Sequence, residues 1–264
     1  MLSKLILWQR GIRLDVFLDA CMPAIFATVN TSPFFKFPTL IKSIVALFNS
    51  IKLGFAAALF NGVLGLLVGY AVVRGRGARL SKWLEAIAFA PYIFPSIALG
   101  AIYIGMFSTN IGPVPALYGT FTILVLITVI KNLPFTSRTG IAAILQIHQS
   151  LEEAARVQGI GWFRRMFRII IPLSMSGLVA GMLLTFITAM RELSLIILLI
   201  SPGNMVLTGL IFSYQEMDMS QHSSAVTLML VLLIIVISVI VRLITRSAGA
   251  VSYTHLTLPT IYSV

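Results

Sequence analysis

The chain has 264 residues, of which 58% are hydrophobic and only 10% are charged, and its mean hydropathy is +1.00. Soluble domains carry roughly 25% charged residues, so this composition excludes an ordinary soluble protein and indicates an integral membrane protein. The net charge of +11 does not indicate nucleic-acid binding, because most basic residues lie beside apolar runs, where positive charge fixes cytoplasmic loops. A single cysteine, Cys21, excludes an internal disulfide.

The N-terminal segment, residues 1–36, contains one ambiguous apolar stretch. Charged residues interrupt its opening and no small-residue cleavage site follows, so a cleavable signal peptide is not predicted. Residues 14–30 are apolar enough for a helix, but Asp15 and Asp19 lie inside them. A carboxylate at the centre of a membrane costs about 2.5–3.5 kcal/mol. Residues 14–30 therefore either form an extra transmembrane helix or stay outside the membrane.

Five further segments have the length and apolar composition of transmembrane helices, since about 20 apolar residues cross a bilayer. They are residues 51–73, 83–107, 117–130, 173–200 and 225–244. The preceding stretch, 37–50, is predicted to lie on the outer interface as an amphipathic segment, and Pro91 and Pro95 are expected to kink the second helix. The predicted fold is an all-α polytopic membrane protein with a five-helix core, or six helices if residues 14–30 span.

Basic residues alternate between the connections and so predict an orientation. They cluster after the first helix, in the long polar insert before the fourth, and after the fifth, at Arg74, Arg76, Arg79, Lys82, Arg138, Arg156, Arg164, Arg165, Arg168, Arg242 and Arg246. The connections at 108–116 and 201–224 carry none and are predicted to be outer loops. The insert and the C-terminus are therefore predicted to be cytoplasmic.

The last residues, 251–264, do not continue the pattern of apolar spans. They form a short, polar and β-branched run that resembles translated sequencing-adapter read-through at the end of an assembled read. We expect them to be a non-native tail, so that the transmembrane domain covers residues 37–250.

The polar insert, residues 137–172, is predicted to form a helix, a turn and a second helix. Ser150 and Glu153 have the spacing of a capping box, which predicts a helix that begins at Ser150. Gly159 suits the left-handed turn that closes such a helix. A second helix is expected from Trp162, with its arginines in water, and Pro172 is expected to mark the entry into the next span.

The same insert resembles the EAA motif of the permease subunits of type I ABC importers, whose pattern is E-A-A-x3-G-x9-I-x-L-P. The matching residues are Glu153, Ala154, Ala155, Gly159, Ile169 and Pro172, with Ile171 in place of the leucine. The resemblance covers residues 40 to 246. It implies the type I importer permease fold, and it implies that these residues dock on a cytoplasmic ATP-binding subunit and transmit its movement.

The resemblance also implies the partners and the location of the protein. Expected partners are cytoplasmic ABC ATPase subunits, an extracytoplasmic solute-binding protein, a second permease half or identical copy, and the lipid bilayer of a bacterial inner membrane. No cofactor is expected, because ATP would be bound by the partner subunit. The absence of a G-x-x-x-x-G-K-[ST] phosphate loop agrees with a transport subunit that is not an enzyme, and the three histidines do not have metal-site spacing.

Arg191 and Glu192 lie within the fourth apolar run, where ionised side chains need a partner or water. They are candidates for the translocation path or its gate. Two alternatives are a helix break near Met190 that places both at the outer interface, and a structural ion pair between helices.

The transported solute remains open at the level of sequence. Residues 191–212 resemble the C-terminal half of ferric-iron permeases, with a similar R-E-L-S segment and S-P-G turn, so ferric iron is the first candidate. Sulfate, molybdate, thiamine, phosphonate and polyamine are alternatives, because one scaffold serves many solutes. An ATPase-independent secondary transporter or channel is the alternative from a different functional class.

Overall fold

The computed structural model describes residues 37–75, 78–110 and 115–247, and the regular secondary structure of this part is entirely helical. In chain order the α-helices are α1 Phe37–Arg74, α2 Arg79–Ile93, α3 Ser96–Phe107, α4 Phe121–Leu145, α5 Gln149–Val157, α6 Trp162–Arg165, α7 Ile171–Arg191, α8 Leu207–Glu216 and α9 Ser220–Ser247. The possible helix at 14–30 and the predicted tail at 251–264 lie outside the described residues. The all-α prediction is confirmed for the rest.

Four of the described segments are long and apolar enough to cross a membrane, and the bent pair α2 and α3 could supply a fifth span. The first span is longer than predicted. Helix α1 has 38 residues, or about 57 Å at 1.5 Å per residue, whereas a bilayer's hydrocarbon core is about 30 Å thick. Residues 37–50, predicted to be an amphipathic segment on the outer interface, belong to the same continuous helix. Helix α4 likewise runs on to Leu145, into the predicted polar insert.

The segment 83–107 is two helices, and the prediction of one kinked helix was wrong. Helices α2 and α3 meet at an angle of 102°. Phe94, between them, has extended backbone angles (φ −83°, ψ 136°), which are the angles favoured by the residue before a proline. Pro95, which follows, is the N-cap of α3. The chain therefore turns sharply at this point rather than bending within a helix.

The fourth predicted span also has different limits. A continuous helical segment runs from Trp162 to Arg191 through a π-helical stretch, Met166–Ile170. Pro172 lies in the first turn of α7, at the predicted entry into the span, although the continuous helical segment begins earlier. A proline ring collides with the carbonyl four residues earlier in a regular α-helix, and here the preceding turn is widened, since the Ile171 N–H donates to the Met166 carbonyl. Residues 192–200, predicted to be helical, follow the end of α7.

The segment 201–224, which was predicted to be an outer loop, is partly a packed helix. It contains helix α8, whose Leu207, Leu210 and Tyr214 are buried against α1, α7 and α9. The Leu207 N–H donates to Ser50 Oγ of α1 at 2.8 Å. The apolar run of α8 is too short to cross a membrane and was therefore not predicted as a span. Its hydropathy did not indicate that packing against other helices would bury it.

Helices α1 and α4 cross with their backbones in contact. A Cβ atom added at Gly65 would lie 2.5 Å from the Thr136 carbonyl oxygen, one at Gly69 would lie 2.5 Å from the Gly140 carbonyl carbon, and one at Gly140 would collide with the Gly65 carbonyl oxygen. Small residues permit this approach, and in lipid the resulting van der Waals contacts replace the hydrophobic driving force between helices.

Gly140→Ala is predicted to destabilise the protein by about 1–3 kcal/mol, because its methyl group overpacks the α1–α4 crossing. Gly105→Ala is the matched control, since a Cβ at this helical glycine meets no atom within 4 Å, and it should leave stability unchanged or raise it by about 1 kcal/mol through helix propensity. Thermal unfolding of the detergent-solubilised protein measures both. Equal effects of the two substitutions would contradict the tight crossing.

Candidate functional site

The polar insert forms an elbow, residues 146–172, which follows α4 and contains α5, a turn, α6 and the first residues of α7. Its helix α5 begins at Gln149 rather than Ser150, and its N-cap is His148, whose Nδ1 accepts from the Ser150 N–H at 3.3 Å. The predicted capping box was therefore wrong. Glu153 instead accepts a hydrogen bond from the Gln149 side chain at 2.9 Å, within the helix.

The turn at Gly159 is confirmed. Gly159 has φ +74°, its N–H donates to the Arg156 carbonyl at 2.9 Å, and the Ile160 N–H donates to the Ala155 carbonyl at 3.0 Å. These two bonds form a Schellman motif, which satisfies the last carbonyls of α5. A residue with a Cβ would be strained at this backbone conformation, so glycine fixes the angle between α5 and the chain that follows.

The residues predicted to contact an ATPase occupy two sides of the elbow. Glu153 and Ala154 are exposed, as are Gly159 and Pro172, whereas Ala155 is buried and Ile169 is half-buried. Only part of the motif is thus available to a partner in this structure.

A buried carboxylate fastens the elbow to α1, and the sequence analysis missed it. Glu152 is 2% exposed; its Oε1 accepts from Arg74 Nε at 2.5 Å and its Oε2 from the Tyr70 hydroxyl at 3.0 Å. Arg74 also donates to the Ile147 carbonyl at 3.2 Å. The sequence analysis singled out the neighbouring Glu153, because it matched the family pattern. Spacing could have indicated Glu152, since a glutamate three residues before a buried alanine lies on the same helix face.

One arginine of the elbow lies inside rather than in water, contrary to prediction. Arg165 is buried and donates from Nη1 to the Ile160 carbonyl at 3.3 Å. It therefore ties the start of α6 to the turn. Arg156, Arg164 and Arg168 are exposed, as predicted.

Large apolar side chains project from the two helices of the elbow, α5 and α6. Val157 is 89% exposed and Phe163 72%, while Leu151 and Trp162 are also exposed. Exposed apolar patches beside polar residues mark sites of interaction with proteins or membranes. The exposed residues Leu151, Ala154, Val157 and Phe163 are hereafter the apolar residues of the elbow.

A second group of charged residues lies further along the helices. Glu192 forms an ion pair with Lys131 of α4, which supports the alternative of an ion pair between helices. Helix α7 ends at Arg191. The other alternative predicted a helix break near Met190, one residue earlier. Lys131 also donates to Ser96 Oγ, and the Leu195 N–H donates to Glu192 Oε1 at 3.2 Å. Lys131 was not among the predicted site residues, because it directly follows the predicted span at 117–130.

These charges line a cleft of about 380 Å³. Its walls, hereafter the charged cleft, are Tyr92, Lys131, Asn132, Phe135, Thr188, Arg191 and Glu192. In the described ranges, no three His, Cys, Asp or Glu side chains come together.

Comparison with known proteins agrees with this architecture. Residues 61–249 match the family described as binding-protein-dependent transport system inner membrane component. A putative 2-aminoethylphosphonate transport system permease protein, PhnV, of Salmonella paratyphi A is 27% identical over 186 residues, which cover 70% of this chain and 69% of that protein. A ferric transport system permease protein, FbpB, of Actinobacillus pleuropneumoniae is 29% identical over 65% of this chain and 24% of that protein.

The fold is also that of a solved importer. A crystal structure of a bacterial ABC transporter involved in the import of the acidic polysaccharide alginate superposes with a TM-score of 0.70, at 16% identity, over 93% of this chain and 96% of the matched chain. The family match covers well over half of the sequence and includes both the elbow and the charged cleft. The chain therefore belongs to the inner membrane components of binding-protein-dependent transport systems, the permease subunits of ABC importers.

Proposed function

We propose that the elbow is the part of this permease that receives the movement of separate, cytoplasmic ATPase subunits. The observation that carries the proposal is the exposure of the apolar residues of the elbow, above all Leu151, Val157 and Phe163, at a polar end of the helices. Apolar side chains of this size favour coverage by a partner. Glu153, Ala154 and Gly159 form the contact region, the buried Ala155 supports it from inside, and Ile169 and Pro172 lie where the second arm of the elbow joins the span.

A movement of the elbow would pass directly into the membrane helices. Glu152 holds α5 to the end of α1 through Arg74, and Met166 and Ile170 pack with Ile144 of α4 and Leu66 of α1. Closely packed interiors transmit displacement because they deform little. The elbow therefore acts as a lever with its base fixed to α1 and α4.

The orientation proposed from the sequence is supported by the clustering of positive charge. The Arg74–Glu152 pair brings the end of α1 to the same end of the helices as the arginines of the elbow. Because cytoplasmic connections are rich in lysine and arginine, we place the elbow and the C-terminus of α9 in the cytoplasm of a bacterium. A solute-binding protein would then deliver its cargo at the opposite face, and a second permease half or identical copy would complete the pore.

Arg191 and Glu192 are proposed to lie on the translocation path, since they line the charged cleft. Ferric iron is the first candidate solute, from the resemblance at 191–212 and the ferric permease among the relatives. Phosphonate is the second candidate, because a relative named for aminoethylphosphonate matches 70% of the chain.

Gly159→Val is predicted to reduce transport per ATP hydrolysed several-fold, because a β-branched residue in the left-handed region costs about 2 kcal/mol and rotates α5 relative to α6. Gly161→Val is the matched control: Gly161 has φ −62° and open space around its Cβ position. Solute uptake and phosphate release are measured together in proteoliposomes that hold the complete transporter. Normal coupling in the Gly159 variant would remove the elbow from force transmission.

Glu152→Gln is predicted to lower the free energy of unfolding by about 3 kcal/mol, because it leaves the largely buried Arg74 without its counter-charge. Glu153→Gln, one residue away and exposed, should change it by less than about 0.5 kcal/mol. Chemical or thermal unfolding in detergent compares them. The exchanged pair Arg74→Glu with Glu152→Arg should recover part of the lost stability. Equal stability of the two glutamine variants would contradict the proposal that Glu152 fixes the elbow to α1.

The complete transporter is predicted to take up ⁵⁵Fe(III) or 2-aminoethylphosphonate when ATP is present. Uptake should stop when ATP is replaced by a non-hydrolysable analogue, because the driving force comes from the partner subunits. Radiolabel accumulation in proteoliposomes gives the measurement. Accumulation by the permease alone, without an ATPase, would support the secondary-transporter alternative.

A further inference from the structure

We infer that the charged cleft binds an oxyanion, so that the solute of this permease is an oxyanion itself or a metal ion carried as an oxyanion complex. This inference deepens the proposed function, since it assigns a chemical class to the cargo on the proposed path. The supporting observations are the balance of charge in the cleft, the hydrogen bonds of its walls and its position along α4.

The side chains that line the cleft carry a net formal charge of +1. Lys131 and Glu192 neutralise one another, and Glu192 accepts a further hydrogen bond from the Leu195 N–H. Arg191 is exposed, and within the described part of the chain its guanidinium has no hydrogen bond or ion pair. Glu192 is the one acidic residue of the lining, and it already forms an ion pair with Lys131. Arg191 therefore remains available to an anion.

Two polar side chains that line the cleft with Arg191 already have hydrogen-bond partners, which hold them in place. Asn132 donates to the Thr128 carbonyl at 2.8 Å and accepts from the Thr188 hydroxyl at 2.7 Å. Tyr92 borders the same cleft and packs edge-on against Phe135. The wall thus has a fixed shape, and the guanidinium supplies the free donors. Its planar fork matches two oxygens of a carboxylate, phosphate, phosphonate or sulfate group.

The position of the cleft makes its charge consequential. Lys131 lies ten residues after the start of α4 and fourteen before its end, or roughly 15 and 21 Å along the axis. The cleft therefore lies beside the middle of α4 and at the end of α7, whose span ends at Arg191, and low-dielectric walls strengthen the field of a charge in a cleft. A bare metal cation would be repelled there, whereas an oxyanion or a ferric ion enclosed by oxyanion ligands would be attracted.

The sign of the field can be tested without knowing the solute. In full-length protein with Cys21→Ser, the Thr188→Cys thiol reports on the cleft, and the Ser108→Cys thiol, in a segment without charged residues, is the reference. Each is reacted in nanodiscs with an anionic and a cationic methanethiosulfonate reagent of similar size. We expect the anionic-to-cationic rate ratio to be about tenfold higher for the Thr188 variant than for the reference, since fields focused in clefts raise encounter rates by roughly 10–10³.

Substitutions at Arg191 decide whether this residue is the source of the field. Arg191→Gln should bring the ratio down to the reference value, and Arg191→Lys should preserve it, because lysine keeps the charge. Size-exclusion chromatography verifies that both variants are folded. A ratio that is unaffected by Arg191→Gln, or one that favours the cationic reagent, would overturn the inference.

Protection experiments identify the source of the oxyanion. Inorganic phosphate, sulfate, methylphosphonate and ferric citrate are each added to the Thr188→Cys protein, with chloride at the same ionic strength as the control. At least one oxyanion should slow labelling several-fold more than chloride does, and Arg191→Gln should abolish this protection. Protection by none of them would overturn the inference. The labelling involves no ATPase, so this result is independent of whether the elbow is the docking site.

Discussion

The structure depends on one close contact, the crossing of α1 and α4 at Gly65, Gly69 and Gly140, where no side chain separates the two backbones. Helix α7 then packs against both. A Cβ at Gly177 would lie 2.7 Å from Ala143 of α4, and one at Gly62 would lie 2.7 Å from Met182 of α7. In a bilayer the lipid tails are as apolar as leucine, so contact between helices, rather than escape from water, holds such a core together.

This three-helix core links the two charged regions. The Arg74–Glu152 pair closes its elbow end, and the Lys131–Glu192 pair bridges α4 to the end of α7, about 20 Å along α4 from the elbow at 1.5 Å per residue. The elbow therefore does not need a chain of mobile contacts to influence the charged cleft. Both regions are attached to the same helices, and a tilt of those helices would alter both together.

The sequence predicted features that depend on neighbouring residues. Apolar runs located the spans, and Gly159 indicated the left-handed turn because few other residues adopt that conformation readily. The sequence did not indicate partners that lie far away in the chain. Glu152 bonds to a residue 78 positions earlier, and Lys131 to one 61 positions later. The hydropathy value of a charged residue is the same whether that residue is solvated, paired or buried.

The errors in helix limits have two physical causes. Proline acted through its neighbours: Phe94 adopted extended angles before Pro95, and a π-helical turn precedes Pro172. Whether a proline breaks a helix or is accommodated depends on packing that the sequence does not show. Burial was the other cause, since α8 is too short to span but packs between α1, α7 and α9.

The hydrogen bonds of α1 bear on how the protein is made. Asn49 bonds to the carbonyl of Met205 and Ser50 to the N–H of Leu207, so the first described helix meets these partners only after more than 150 further residues, 156 for Asn49. At 5–20 residues per second, roughly 8–30 seconds of synthesis separate them. During that interval Asn49 and Ser50 lack the partners that they have in the folded protein. This part of α1 therefore reaches its final set of hydrogen bonds only after the start of α8 has been made.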